Sequence, residues 1–114
     1  MLKHYAKLFF TESSFTEVEV GDRNAGLKRL PDNVLFYQFF DTIEVNLKNK
    51  TILLVRMNFS PMIYLGEEFS VERLEKEHPE EKNRIMTMKL QGLNRIVRTK
   101  DNNWYALREG DRVI

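Results

Sequence analysis

Most apolar residues along the chain recur with the period of a strand, alternating with polar ones, rather than with the three-to-four-residue spacing of a helix. Ala6, Leu8 and Phe10 share parity with His4, which predicts a first strand over residues 4–10. In the segment from Phe15 to Val20, Val18 and Val20 stand opposite Glu17 and Glu19, and Gly21-Asp22 ends the run because that pair favours a turn. The strongest signal runs from Val34 to Leu47. There Phe39, Ile43, Val45 and Leu47 share parity while Glu44 and Asn46 point the other way, and aromatic residues of both parities predict a bend or bulge near Phe40-Asp41. Lys48-Asn49-Lys50 then turns the chain into a strand over residues 51–57, completing an antiparallel hairpin. Residues 22–33, with Gly26 and Pro31 among charged groups, read as a surface connection with at most a short helical turn.

Pro61 interrupts the pattern, and residues 62–65 fit a short edge strand stopped by Gly66. Ser70 is placed to cap a helix from Val71 to Glu77, since its hydroxyl can accept an otherwise unpaired backbone N–H. Pro79 opens a second helical segment with Glu80 and Glu81 in its first turn. Ile85, Met88 and Leu90 would face a sheet, and Gly92 would end the segment, although Ile85 to Met88 also fits a strand. Residues 95–100 and 104–108 read as a last hairpin across Asp101-Asn102-Asn103, with a terminal strand at Val113-Ile114. The sum is a single compact α+β domain over residues 1–114: one antiparallel sheet covered by one or two short helices, with a small partly closed β-barrel as the alternative.

Composition narrows the function classes. A chain of 114 residues that is 42% apolar and 11% aromatic carries enough surface to bury one core, which excludes disorder throughout. Its 18 Lys and Arg residues nearly balance 17 Asp and Glu residues, leaving +1, too little for a dedicated phosphate-backbone binder. The lack of cysteine excludes disulfides, a thiolate nucleophile and cysteine-ligated metal. Charge at Lys3 and Lys7 does not suit a secretory signal, and no apolar run approaches the roughly 20 residues of a bilayer span. A cytoplasmic protein without membrane insertion is the expectation.

The chemistry of catalysis is thin. His4 and His78 lack metal-ligand spacing, and Ser13, Ser14, Ser60 and Ser70 lie in no nucleophile motif. The neighbouring carboxylates at Glu67-Glu68 and Glu80-Glu81 fit a solvated surface, and the scattered glycines form no phosphate cradle. Phe36, Tyr37, Phe39, Phe40, Phe59 and Tyr64 fit core packing better than a ligand pocket. No catalytic residue, metal or cofactor is expected, and a small hydrolase is the least favoured reading.

The C-terminal hairpin is the best candidate surface. Pairing Lys100 with Trp104 sets Arg98 opposite Ala106 and Val97 opposite Leu107. Arg98, Lys100, Trp104 and Arg108 then share one face, and Val97, Thr99, Tyr105 and Leu107 bury on the other. A ring beside fixed cations can hold an acidic peptide or stack on a base, so Arg98, Lys100, Trp104, Arg108 and Arg112 are the partner-binding candidates. The competing reading makes Trp104 a core anchor and the cations a soluble edge, and a one-residue slip would exchange the faces. Residues 67–84 hold seven acidic and four basic residues, whereas residues 85–114 hold six basic and three acidic ones, giving unlike segments of −3 and +3.

These features favour a noncatalytic protein-interaction or regulatory module. Nucleic-acid binding through the basic aromatic hairpin is the alternative, and surface aromatics leave room for a homo-oligomer. The pattern Asn94-Arg95-Ile96-Val97-Arg98-Thr99, Trp104 and Gly110-Asp111-Arg112-Val113-Ile114 resembles small uncharacterised proteins of phages and other mobile elements over about the second half of the chain. That resemblance implies a role directed at a bacterial host and assigns no activity or site residue.

Overall fold

The computed structural model describes residues 2–21, 27 and 30–114, so most of the connection expected over residues 22–33 lies outside the described residues. The architecture is α+β, with mostly antiparallel strands and short helices, and its sheets are open rather than closed into a barrel. Two compact units divide at Met62.

In the first unit the long strand β3 (Phe36–Asn46) is the organiser. Its first part pairs with β1 (Leu2–Phe9), which pairs in turn with β2 (Phe15–Val20); its last part pairs with β4 (Ile52–Met57), every pairing antiparallel. Aromatic stacking locks the register: Tyr5 lies 5.6 Å from Phe40 across the β1–β3 pair, and Phe9 lies 4.8 Å from Phe36. β3 is unbroken through Phe40-Asp41, where a bulge was expected. Of the six aromatics read as core, Phe36, Tyr37, Phe39, Phe40 and Tyr64 are buried, while Phe59 is exposed and stacks on Phe40 at 5.5 Å.

The second unit is a three-stranded sheet with two helices. β6 (Gly66–Ser70) and β8 (Trp104–Ala106) flank β7 (Arg95–Thr99), and β5 (Ile63–Tyr64) pairs in parallel with β9 (Arg112–Val113). The helix α1 (Val71–Glu77) begins as the sequence predicts, with the Arg73 N–H donating to the Ser70 hydroxyl at 3.1 Å. Pro79–Glu81 form a single 3-10 turn that leads into α2 (Lys82–Leu90). Gly92, at φ 72°, ends that segment, because glycine enters the left-handed region without a Cβ penalty.

Phe69, Leu74, Ile85, Met88 and Ile96 form the core between helices and sheet. Leu90, expected to face the sheet, is 84% exposed: three residues past Met88 in the chain would be needed to return to the same stripe, and Leu90 is two past it. Gly66 is not the stop of an edge strand but the first residue of β6. A Cβ there would collide with the Arg98 carbonyl oxygen, so the close approach of β6 to β7 requires glycine.

Candidate functional site

Arg98 pairs with Trp104, Val97 with Tyr105 and Ile96 with Ala106. Relative to the expected register the strands are displaced by two residues, because Lys100 belongs to the turn instead of facing Trp104. The turn is closed by Thr99, whose N–H donates to the Asn103 carbonyl at 3.0 Å while its own carbonyl accepts from the Asn102 N–H at 2.9 Å. Asp101 tightens it further by accepting from the Thr99 hydroxyl and from Asn103 Nδ2. A displacement of two preserves parity. Val97, Thr99 and Leu107 are buried as expected, and Arg98 and Trp104 still share a face.

That face is not bare. It also carries Phe69 and Ile96, over which the helices pack, and Trp104 is half-buried against the resulting core. The indole meets Phe69 edge-on at 5.3 Å and His78 edge-on at 5.3 Å, so it is both an anchor and a partly open ring. His78 reaches this position because it terminates α1, its N–H donating to the Leu74 carbonyl at 2.8 Å, and its Nδ1 lies 2.9 Å from a Glu80 carboxylate oxygen. The sequence pattern weighs His78 only as a metal ligand and does not place His78 or Phe69 beside the indole. A histidine at a helix end, facing a tryptophan from a strand 26 positions on, leaves no local pattern.

Charges around the ring are mostly matched. Arg73 lies 4.1 Å from the Phe69 ring centre, pairs with Glu67 at 3.0 Å and also pairs with Glu77. Hydrogen bonding to Arg73, followed by the fields of Arg73, His78 and Arg98, holds the Glu77 carboxyl below its ordinary range. The oppositely charged segments fold onto one another through Glu68 with Arg95 at 2.8 Å and Glu75 with Lys89. Arg98 is different. Among the described residues its guanidinium makes no ion pair; it lies 5.4 Å from the Trp104 ring and 5.6 Å from the Phe69 ring. Stacking of this kind leaves the edge N–H donors of a guanidinium available.

The other candidates are spread out. Lys100 is exposed in the turn, and Arg108 is exposed after β8, where its N–H is fixed by the Asp111 carboxylate at 3.0 Å. Arg112 is exposed at the start of β9, opposite Ile63. Arg108 acts on Tyr64: burial first, then Asp111 and Tyr105, push that phenol up to about 12 against the opposing pull of Arg108. The structure therefore joins Arg98 to Trp104 and sets Arg108 and Arg112 on the β9 side of the unit.

The first unit holds one further polar pair. Asp41 is buried in β3, where His4 Nδ1 meets its carboxylate at 2.7 Å and Asn58 Nδ2 donates at 3.0 Å. A histidine oriented by a buried carboxylate is half of a nucleophile-activating arrangement. The contacts from His4 and Asn58 satisfy the buried carboxylate of Asp41. Among the described residues no helix is long and apolar enough to cross a membrane. Set against protein-family models, curated proteins and solved structures, the chain matches none of them.

Proposed function

We propose that the protein is a noncatalytic interaction module whose Arg98–Trp104 pair receives an acidic segment of a protein partner. The observation that carries this reading is the guanidinium of Arg98, stacked beside a half-buried indole while the neighbouring cation Arg73 is paired with carboxylates. A carboxylate can take the Arg98 donors end-on while an apolar side chain covers the open part of the ring, combining directional and contact terms. Protein is favoured over nucleic acid because Glu67, Glu77 and Glu80 surround the same rings. Those charges oppose a polyphosphate chain but not a short peptide that offers one carboxylate at the Arg98 position. The resemblance to mobile-element proteins supports a bacterial lysate as the source of the partner.

Trp104 is the only tryptophan, so its fluorescence reports directly on the site. Titration with a peptide bearing glutamate beside an aromatic residue is expected to shift the emission, and Arg98→Ala is expected to abolish the response without unfolding the chain. In parallel, a nuclease-treated bacterial lysate passed over wild-type and Arg98→Glu protein should yield a discrete partner only with the former. A response to single-stranded oligonucleotide that weakens steeply with salt, and none to the peptide, would replace this reading with nucleic-acid binding.

A further inference from the structure

The sheet of the first unit ends in two edges of different chemistry. β2 carries Glu17 and Glu19, charges of the kind that keep an edge strand from pairing with another chain. At the other edge the run from Thr51 to Val55 holds no charge, and among the described residues β4 pairs with β3 alone. Alternate residues of β4 therefore turn backbone N–H and C=O groups outward.

The side chains of β4 stand clear on both faces. Leu53, opposite Val45, lies on one face and is 50% exposed; Ile52 and Leu54, opposite Asn46 and Glu44, lie on the other and are 61% and 52% exposed. A body stacked flat on the sheet would cover one of these faces. A strand added to the edge covers part of both and satisfies the outward backbone groups at the same time.

We propose that β4 is a self-pairing edge, at which two copies of the chain join antiparallel about a two-fold axis near Leu54. Self-complementarity points to a second copy. With Leu54 opposite its own counterpart, Leu53 meets Val55 and Ile52 meets Arg56, residues of matching face, and no like charges are opposed. Two copies of the exposed Ile52, Leu53, Leu54, Val45 and Leu47 offer on the order of 1,000 Å², the lower edge of what a specific interface buries. That area fits a dimer that forms with concentration, not an obligate one.

Sedimentation equilibrium of the full chain tests this. The mass is expected to rise with concentration from one chain to two and stop there, because a two-fold pairing is closed. Leu53→Lys and Leu54→Lys place a charge on opposite faces of the edge, and each is expected to weaken the dimer by about tenfold or more with an unchanged circular dichroism spectrum. Mixing Leu54→Lys with Leu54→Glu protein should restore the dimer. Should either variant unfold, Val45→Lys and Ile52→Lys test the same two faces. A monomer at every concentration, growth beyond two chains, or dimers indifferent to both faces would overturn the proposal. Loss of the dimer through the Leu53 face alone would also overturn it, in favour of sheets stacked face to face.

Discussion

Two hairpins of this protein look alike in sequence and differ in what surrounds them. β3–β4 and β7–β8 are both antiparallel, both turn at polar residues, and both place a non-glycine residue at positive φ, Lys50 at 66° and Asn102 at 64°. Yet Ile96 and Val97 of β7 are fully buried, whereas Ile52, Leu53 and Leu54 of β4 are at least half exposed. β4, with four aliphatic residues in six against two in five for β7, is the richer of the two and still the more exposed. What differs is whether another layer lies on the strand, as α1 and α2 do over Ile96. A strand pattern therefore identifies surface fit for burial, and topology decides whether burial occurs.

The largest test of this contrast is one kind of truncation made in each hairpin. Ile96→Ala removes a side chain enclosed by Phe69, Leu74 and Met88 and is expected to cost about 2–5 kcal/mol in urea unfolding. Ile52→Ala, at 61% exposure, is expected to change stability by no more than about 0.5 kcal/mol at concentrations where the chain is a monomer. Equal losses at the two sites would mean that β4 is covered in solution.

Next in size is the polar group at the base of β3–β4. Asp41→Ala leaves His4 and Asn58 without their shared acceptor and is expected to cost about 2–3 kcal/mol. Asp41→Asn, which keeps one acceptor oxygen, should recover part of that loss. If both substitutions were neutral, β3 would not depend on its one buried acid.

How far the sequence reaches follows from the same contrast. Elements defined by neighbouring residues were legible: the Ser70 cap, Val71–Glu77 as a helix, Gly92 as its later counterpart, and β2 within its bounds. Events that depend on distant residues were not. β6 escaped notice because Gly66-Glu67-Glu68-Phe69-Ser70 has one apolar side chain, and it is held in place by β7. The Arg98–Trp104 pair was legible as a shared face but not in register, since Lys100 could belong to the strand or the turn until Thr99 and Asn103 closed the loop. His78 and Phe69 needed the tertiary fold to reach the indole.

Uncapping α1, one of the two helices over β7, is a milder test. Ser70→Ala removes the acceptor of the Arg73 N–H and is expected to cost about 1 kcal/mol, with Ser70→Asp restoring most of it. Acid acts on the same unit. The Arg95 hydrogen bond holds Glu68 below the ordinary carboxylate range; at Asp101 desolvation pulls upward, but hydrogen bonds from Thr99 and Asn103 outweigh it. Both groups bind fewer protons folded than unfolded. Their stabilisation is present above the ordinary carboxylate range and is lost as pH falls through their lowered values. Thermal melting should therefore move down below about pH 4, with a smaller fall in Glu68→Gln.

The smallest expected effect separates the two turns. Lys50 and Asn102 hold nearly the same left-handed φ, but the short polar side chain of an asparagine can offset the strain by local hydrogen bonding and the long aliphatic stem of a lysine cannot. Glycine removes that strain, while adding freedom to the unfolded chain. Lys50→Gly is therefore expected to stabilise by about 0.5–1 kcal/mol, the difference between the two terms. Asn102→Gly is expected to gain nothing, because glycine returns little strain there. Its N–H to Thr99 carbonyl bond sits in a turn already braced by Asp101, whereas the Lys50 turn rests on its N–H bond to the Leu47 carbonyl and the Asn49 side chain. Matched gains at both positions, measured by urea unfolding, would show that backbone conformation outweighs these side-chain braces.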